Sequence, residues 1–394
     1  MAQLPYRLID ADNHYYEAPD CFTRHIEAKY RDATLNATKN DRDEWDVHLG
    51  GKPWHYMDVK FEKTNKPGSM IEILHQKGDV NWADSYSREN MLAGFQDNDA
   101  RLALMDEQGV EAAILLPTLA VVVEQTIVDE ADLTHASLRA FNRWLEDDWG
   151  YAYQNRIFAV PLLSLLDVDQ ACEELDRVLA LGARMVHLRP GPQSGRSPAD
   201  PCFDSFWARL NEAKIPLALH LSDSGYNAMM SIHWGEAPAP PVREQSAFQW
   251  AFSHGDRPVM ETIGSMIYNN LFTRFPDLRA VSIENGSGWV EYLLTTLDKK
   301  KGMARYGPWP HGRFQGRASD VFRRHFSLTP YPEDDVPRLI EFVGADRVLF
   351  GSDYPHPEGT KRPIDFAELL TTSDEAETRQ IMRGNAARLL DLDA

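Results

Sequence analysis

The composition of this 394-residue chain excludes several classes of protein. With 43% hydrophobic residues it can bury the core of one large α/β domain or of two ordinary ones. Its 41 basic and 60 acidic residues give a formal charge of −19, and no Lys/Arg-rich block interrupts them. We therefore expect neither nucleic acid nor an anionic membrane surface as a partner.

The cysteines and the apolar runs indicate the cellular compartment. Only Cys21, Cys172 and Cys202 occur, far apart and without a CxxC spacing for zinc binding or redox exchange. The first residues lack a charged segment followed by an apolar stretch. No run approaches the roughly 18 apolar residues that span a bilayer. We predict reduced thiols in a cytoplasmic protein.

Short apolar runs alternate with amphipathic stretches along the chain. The predicted strands are Leu8–Asp12, Ala112–Pro117, Ile157–Leu162, Arg184–Leu188, Leu217–Leu221, Ala280–Ile283, His325–Leu328 and Val348–Gly351. The predicted helices are Ala100–Glu107, Asp132–Trp149, Val168–Leu181, Phe203–Ala213, Glu261–Arg274, Gly288–Lys301, Val336–Val343 and Asp374–Leu390. Eight strand-then-helix units predict an α/β fold, a (β/α)₈ TIM barrel.

The competing architecture is an open, doubly wound sheet. No GxGxxG or GxxxxGK[ST] motif follows the first strand. Polar residues end many of the strands, whereas a doubly wound sheet gathers them at one switch point. The pattern therefore favours a single barrel domain over residues 1–394.

Two irregular segments interrupt the alternation of strands and helices. The longer, about residues 31–90, follows strand 1 and is rich in aromatic residues, namely Trp45, Trp54, Tyr56, Trp82 and Tyr86. We interpret it as a lid over the barrel mouth or as a dimerisation arm, because a flat substrate and a subunit interface of a homodimer both need such residues. The other segment, residues 222–249, is rich in Pro and Gly and follows strand 5. A loop there would stand beside the active-site face.

Several strands end in side chains that bind divalent cations. Asp12 and His14 are two residues apart on strand 1, so both side chains point to the same face. His220 ends strand 5 and Asp353 ends strand 8. Two acid oxygens and two imidazole nitrogens form a mixed shell that suits Zn²⁺, Mn²⁺ or Fe²⁺. We expect one such ion, with zinc as the first choice.

Further polar residues end neighbouring strands. His187 and Arg189 share one face of strand 4, where His187 would serve catalysis. Arg189 would grip a substrate carboxylate or pair with an acidic residue of the barrel rim. Glu284 ends strand 6 and is either an acid/base or an acceptor for backbone amides.

These motifs together resemble a known family. The segments that carry the resemblance are the strand-1 pattern DxDxHxxE, His220 after its apolar run, FPDL at 275–278, FGSDYPHP at 350–357 and GNAARLL at 384–390. They resemble the amidohydrolase superfamily, in the branch that includes aminocarboxymuconate semialdehyde decarboxylase. The resemblance runs from about residue 7 to the C-terminus. It implies a distorted (β/α)₈ barrel with a mononuclear metal.

The resemblance also implies roles for individual residues. By position, the metal ligands are Asp12, His14, His220 and Asp353, and Asp353 also accepts the proton of the metal-bound water. His356 orients Asp353 or its loop, and Glu17 either hydrogen-bonds a metal-bound histidine or lies on the surface.

The chain departs from the family pattern at two positions. Many relatives have HxH on strand 1, where this chain has Asp12, and the extra negative charge favours a harder or more tightly held ion. Decarboxylating relatives have a histidine at the end of strand 6, where this chain has Glu284. The second departure counts against decarboxylation, because that histidine is thought to protonate the substrate carbon.

Three functions follow from these residues. The first is a metal-dependent hydrolase whose activated water attacks a small, carboxylate-bearing or aromatic substrate. The second is a non-oxidative decarboxylase of an aromatic or muconate-type acid. The third is a barrel without catalysis that binds a partner. The sequence favours the hydrolase, because the ligand positions are filled and Glu284 can serve as a second acid/base.

Overall fold

The computed structural model describes residues 4–70 and 88–392. Trp82 and Tyr86 of the predicted aromatic group lie outside these residues. The strands in chain order are β1 Leu8–Tyr15, β2 Asn36–Lys39, β3 Trp45–Leu49, β4 Lys52–Pro53, β5 Lys63–Asn65, β6 Arg88–Asn90, β7 Val110–Pro117, β8 Ile157–Ala159, β9 Leu162–Leu163, β10 Val186–Leu188, β11 Leu217–His220, β12 Ala280–Ile283 and β13 Phe326–Leu328.

Eight parallel segments close into a barrel. One sheet has the order β1-β7-β8 and the other the order β13-β12-β11-β10-β9. β8 and β9 are two halves of the third barrel strand, since the Val160 N–H donates to Leu115 O (3.0 Å) and the His187 N–H donates to Pro161 O (3.0 Å). The two sheets therefore form one continuous wall on this side.

The eighth segment, residues 348–350, completes the barrel. The Leu349 N–H donates to Leu328 O of β13 (2.9 Å), and the Ala11 N–H of β1 donates to Phe350 O (2.9 Å). A Cβ on Gly351 would lie 2.5 Å from Asp12 Cβ, so only glycine lets the last strand approach the first so closely. The predicted distorted (β/α)₈ barrel is confirmed.

The helices surround this barrel. They are α1 Asn98–Gln108, α2 Ala131–Asp148, α3 Val168–Ala180, α4 Asp204–Ala213, α5 Tyr226–Met229, α6 Ala247–Ser253, α7 Asp256–Tyr268, α8 Leu271–Arg274, α9 Val290–Met303, α10 Ala318–His325, α11 Val336–Val343, α12 Glu375–Arg379 and α13 Asn385–Leu390. One π turn, Gln380–Gly384, joins α12 to α13. No helix of the described ranges has the length and apolar character needed to cross a membrane.

One predicted helix is wrong in its continuity. The segment Glu261–Arg274 was expected to be a single helix, but α7 ends at Tyr268 and α8 begins at Leu271. Asn270 has a φ of 60°, in the left-handed region that a helix interior excludes and that Asn tolerates. The other predicted helices agree within a few residues.

The insertion after strand 1 contains short antiparallel strands. β2, β3 and β4 form one sheet, and β5 pairs with β6. The segment packs on the rim of the barrel, where the Val242 N–H donates to Tyr56 O (2.8 Å) and the Met70 N–H donates to Pro357 O (2.8 Å). These contacts lie above strands 5 and 8. The single-domain organisation, the lid and the homodimer arm stay predictions.

Two of the insertion's aromatic residues, Trp54 and Tyr56, stack on each other with ring centroids 6.0 Å apart. The Trp54 indole donates to Thr126 Oγ1 (3.2 Å) on the barrel. Trp45 instead packs edge-on against Phe61 inside the insertion. Among the described residues, the aromatic group therefore divides into two separate contacts.

Candidate metal centre

The polar residues at the strand ends meet at one rim of the barrel. All eight residues of β1 are buried, and Asp12 and His14 lie in its C-terminal half. His220 is the last residue of β11, and Glu284 directly follows β12. Asp353 follows the eighth segment and is only 8% exposed. Because the carboxyl ends of parallel strands share one rim, residues distant in sequence become neighbours.

His14 lies at the centre of this group. Its Nε2 is 3.3 Å from Asp12 Oδ1, 3.4 Å from Glu284 Oε2 and 3.2 Å from Asp353 Oδ1. In each of two overlapping sets, four possible ligand atoms lie within 4.8 Å of one another. The first is Asp12, His14, His220 and Glu284, and the second is His14, Glu284, Asp353 and His356.

The chemistry of these atoms fits a divalent cation. Asp12 Oδ1, His14 Nε2 and His220 Nε2 are buried and have no hydrogen-bond partner. The His220 Nδ1 lies 2.7 Å from Leu221 O, so this nitrogen donates to the carbonyl and leaves Nε2 free to ligate. Buried polar atoms nearly always have a partner. A cation in the middle of the cluster would supply the missing partner for all three atoms.

The carboxylates of the cluster differ in their protonation. Burial raises the pKa of Asp353 well above its usual range, and the negative charge of Glu284 raises it further. Burial also opposes the ionisation of Glu284, but the imidazoles of His220 and His14 outweigh it and hold the pKa of Glu284 below its usual range. In the absence of a cation, the pair therefore favours an ionised Glu284 beside a protonated Asp353.

Strained backbone aims both of these side chains at the cluster. Glu284 has a φ of 54° and Asp353 a φ of 53°, in the left-handed region that residues other than Gly and Asn rarely adopt. Neighbours hold these conformations in place. The Tyr331 hydroxyl donates to Glu284 O (2.7 Å), and the Asp353 N–H donates to Asp12 O (2.8 Å).

The residues expected to support the ligands lie close by. His356 Nδ1 is 2.7 Å from Asp353 Oδ1, and its Nε2 is 2.9 Å from Thr118 Oγ1. Glu17 is buried, and its Oε1 accepts from the N–H groups of Leu119 and Ala120 (2.8 and 2.9 Å). Glu17 thus anchors the loop after β7, and a contact with a metal-bound histidine stays a prediction.

The two strand-4 residues flank the cluster. The His187 ring centroid is 6.3 Å from that of His220, and its Nε2 lies 3.3 Å from Ser222 Oγ. Burial, with a smaller contribution from His220, lowers the pKa of His187 to about 3, so its imidazole is neutral. Arg189 Nε lies 3.6 Å from Glu124 Oε2. The sequence predicted that Arg189 binds a substrate carboxylate or pairs with an acidic residue of the rim. Glu124 is such a residue, but it lies beyond hydrogen-bond distance.

Sequence reasoning missed two supporting residues. Asp10 is buried behind Asp12 and accepts from Asn13 Nδ2 (2.9 Å). Arg101 is buried and donates to Asn13 Oδ1 (2.6 Å) and to the backbone oxygen of His14. A signal for Asp10 was available, because it precedes Asp12 by two residues on the same strand. Nothing in the helical segment around Arg101 distinguishes it from a solvent-exposed residue.

The barrel and its rim of ligands define a class of protein. The family model described as amidohydrolase matches residues 9–392, and the chain belongs to this family. A solved amidohydrolase from Mycobacterium avium subsp. paratuberculosis K-10 is 38% identical with a TM-score of 0.89, over 98% of this chain and 100% of that one.

More distant relatives have named activities. Gamma-resorcylate decarboxylase of Rhizobium sp. (strain MTP-10005) is 27% identical over 315 residues, which are 75% of this chain and 87% of that protein. The solved dihydroxybenzoic acid decarboxylase of Polaromonas sp. JS666, with bound manganese and the inhibitor 2-nitroresorcinol, has a TM-score of 0.61 and 20% identity. That match covers 98% of this chain and 97% of the other. This chain is thus an enzyme of the amidohydrolase superfamily whose characterised relatives include carboxy-lyases.

Proposed function

We propose that this protein is a metal-dependent, non-oxidative decarboxylase of an aromatic hydroxy acid. This reading replaces hydrolysis, which the sequence favoured, because the named relatives are decarboxylases. The observation that carries the proposal is Asp353. It lies 3.2 Å from the central imidazole of His14, and burial and the negative charge of Glu284 raise its pKa well above the usual range in the cation-free protein. A decarboxylase needs such a proton donor inside a water-poor site.

The cation would be held by the first set of ligands, Asp12, His14, His220 and Glu284, with Asp353 beside them. Glu284 thus takes the place among the ligands that the sequence predicted for Asp353, whereas the sequence predicted Glu284 as an acid/base or a structural acceptor. When bound there, a divalent ion would supply Lewis-acid polarisation of the substrate. Zn²⁺, Mn²⁺ and Fe²⁺ all suit two imidazoles and two carboxylates.

Asp353 would then deliver its proton to the ring carbon that bears the carboxylate. The bond from that carbon to the carboxyl carbon breaks, its electron pair returns to the ring, and CO₂ leaves. One proton replaces one CO₂ and no water is consumed. His356, 2.7 Å from Asp353 Oδ1, would hold this carboxyl group in position and link it to Thr118.

A proton donor on strand 8 makes the histidine that is absent from strand 6 unnecessary. Glu284 occupies its place, and the imidazoles of His220 and His14 favour its ionised form, so Glu284 is a poor proton donor. Asp353 is the neighbour whose pKa shifts in the opposite direction. The proton donor is thus supplied from strand 8. His187, whose pKa burial lowers to about 3, would contact the substrate hydroxyl through its neutral imidazole.

The proposal is tested by following both products of turnover in D₂O. The metal-loaded enzyme is incubated with 2,6-dihydroxybenzoate and with 2-hydroxybenzoate, CO₂ is measured in the headspace, and the ring product is examined by NMR. We expect CO₂ and one deuterium at the carbon that lost the carboxylate. Turnover of lactone, amide or ester substrates without CO₂ release would contradict the proposal and restore the hydrolase.

A further inference from the structure

Arg189 is a buried cation without a hydrogen-bond acceptor among residues 4–70 and 88–392. Its side chain is only 4% exposed, and its Nε is shielded from solvent and donates no hydrogen bond. The nearest acidic atom is Glu124 Oε2 at 3.6 Å, which is too far for a hydrogen bond. Leaving a buried guanidinium unpaired is energetically costly. Among the described residues, Glu124 and the nearby buried Asp223 act on this guanidinium through their charge, and neither accepts a hydrogen bond from it.

Neutralising Glu124 does not explain this arrangement. The Ser164 hydroxyl already donates to Glu124 Oε1 (2.8 Å), so part of the carboxylate is engaged elsewhere. A guanidinium has five N–H donors in a planar fork that matches a carboxylate bidentately. A single 3.6 Å approach uses none of these donors in a hydrogen bond. If Arg189 and Glu124 served only as an ion pair, we would expect a hydrogen-bonded N–O distance of about 2.7–2.9 Å.

The loop after strand 5 brings Ser224, a second group without a hydrogen-bond partner, against Gly191, two residues after Arg189. A Cβ on Gly191 would lie 3.5 Å from Ser224 Cβ and 3.7 Å from the Tyr226 ring, so the ends of strands 4 and 5 are in contact here. Ser224 is buried, and its Oγ has no hydrogen-bond partner. Two polar groups without a hydrogen-bond partner among the described residues, Arg189 Nε and Ser224 Oγ, therefore lie on adjoining loops of one rim.

Arg189 lies close in sequence to His187, which is next to the proposed metal centre. Arg189 directly follows β10, which ends at Leu188, and lies two residues after His187, about 6–7 Å along the backbone. The His187 ring is in turn 6.3 Å from the ring of His220, a proposed ligand. A flat substrate whose reacting carboxylate lies at the cation would thus direct its opposite edge toward Arg189.

Building on the proposed decarboxylase, we infer that its substrate carries a second carboxylate, which Arg189 binds through its fork while Ser224 donates an additional hydrogen bond. This carboxylate is not the one that leaves. It fixes the orientation of the ring, so that only the carboxylate next to the hydroxyl reaches the cation. The substrate class is therefore an aromatic hydroxy-dicarboxylic acid.

Equilibrium binding of two unreactive probes tests this inference without turnover. Isothermal titration calorimetry compares isophthalate with benzoate on the metal-loaded wild type, on Arg189→Gln and on Arg209→Gln. Arg209, on the outer helix α4, is a control with the same change of charge. We expect isophthalate to bind roughly 10- to 100-fold more tightly than benzoate to the wild type and to Arg209→Gln. Arg189→Gln should abolish this preference and leave benzoate unchanged. Equal affinities for both probes in the wild type would overturn the inference.

Glu124→Gln separates a substrate-binding arginine from a structural one. Removing the neighbouring negative charge should strengthen isophthalate binding while Arg189 remains. If Arg189 only neutralises Glu124, this variant will leave the affinity for isophthalate unchanged or weaken it, and the inference fails. The double variant Glu124→Gln/Arg189→Gln leaves no unpaired buried charge, and should lose the preference for isophthalate while keeping a wild-type thermal transition.

Turnover distinguishes a failure of this inference from a failure of the decarboxylase proposal. 4-Hydroxyisophthalate and 2-hydroxybenzoate share the same reacting carboxylate and differ only in the second one. We expect a higher kcat/KM for 4-hydroxyisophthalate, reduced to the level of 2-hydroxybenzoate in Arg189→Gln. Equal kcat/KM values in the wild type would refute the second carboxylate alone. Release of CO₂ from neither acid, with the isophthalate preference intact, would refute decarboxylation alone.

Discussion

The carboxylate of Asp10 accepts hydrogen bonds from both the backbone N–H (3.0 Å) and the hydroxyl of Ser352, 342 positions further along the chain. The same carboxylate accepts from the Asp12 N–H (3.2 Å) and from Asn13 Nδ2 (2.9 Å). One buried side chain thus joins the strand that bears Asp12 to the segment that leads to Asp353. The barrel closes and the cation site forms at this same junction.

We predict that Asp10→Asn destabilises the fold and weakens the metal centre. The amide keeps the shape of the side chain but replaces one acceptor by a donor that faces N–H and O–H groups. Each lost hydrogen bond to a charged group is worth about 1.5–3 kcal/mol. Urea unfolding and metal analysis measure the two effects. As a control, Asp20→Asn removes a half-exposed partner of Arg24, and should lower the unfolding free energy by less than about 1 kcal/mol. Equal effects of the two substitutions would contradict the role of Asp10.

Loss of a ligand should empty the metal centre. Elemental mass spectrometry of the wild type should find about one divalent ion per chain, because one cluster of buried ligand atoms lacks its partners. His220→Ala removes an imidazole aimed into that cluster, and should lose the ion. His233→Ala, on the exposed part of the loop after strand 5, should retain it. Full occupancy of His220→Ala, or no metal in any protein after supplementation, would refute the site.

Glu284→Gln decides between the two roles considered for this residue. Its Oε2 lies 2.8 Å from His220 Nε2 and 3.4 Å from His14 Nε2, which is a ligand's position. We therefore expect the variant to bind the cation at least about tenfold more weakly, because an amide lacks the negative charge of the carboxylate. Metal affinity is measured by competition with a chelating dye. Wild-type affinity combined with lost turnover would instead support the acid/base role.

Asp353→Asn should separate binding from proton delivery. The variant keeps Asp12, His14, His220 and Glu284, so we expect it to retain the ion and the affinity for an unreactive aromatic acid. Without an acidic proton, kcat should fall by about 10² to 10⁴, the usual contribution of a general acid. Asp277→Asn, on the exposed loop before β12, is the control. Unchanged kcat in Asp353→Asn would exclude it as the proton donor.

The barrel was predictable from the sequence for a physical reason. Strands buried on both faces are continuous apolar runs, and an acidic residue or a histidine ends several of these runs at the rim. The spacing of Asp12 and His14 by two residues then placed both on one face. The approach of Glu284 to His220 was not predictable, because it depends on a left-handed backbone after β12 that no residue pattern announces.

Other features depend on three-dimensional packing. The strands of the insertion are short and half exposed, so no run of alternating residues reveals them. The sequence could also not show that Arg189 finds no hydrogen-bond acceptor in the part of the chain that the structure describes, since Glu124 comes from a distant loop and lies 3.6 Å away. The sequence also determined the function only in part. The ligands identified a metal enzyme, whereas the choice between hydrolysis and decarboxylation depended on the relatives.

A buried histidine far from the metal centre should set the acid sensitivity of the fold. His135 is 3% exposed on α2, and its Nε2 accepts from the Asp167 N–H (3.0 Å) at the start of α3. Burial lowers the pKa of His135 to about 4 from 6.5. The unfolded chain therefore binds more protons between these values, and stability falls as the pH falls from about 6.5 to 4. The full loss is about 3 kcal/mol by this linkage.

His135→Gln isolates this contribution, because the glutamine amide oxygen can still accept from the Asp167 N–H but does not titrate. We expect the loss of unfolding free energy between pH 7 and pH 5 to be smaller in the variant than in the wild type by about 2 kcal/mol. Urea unfolding at both pH values measures it. His48→Gln, on the half-exposed strand β3, should behave like the wild type. If His135→Gln loses as much stability as the wild type, protonation of His135 does not drive the acid unfolding, and its hydrogen bond to α3 contributes equally at both pH values.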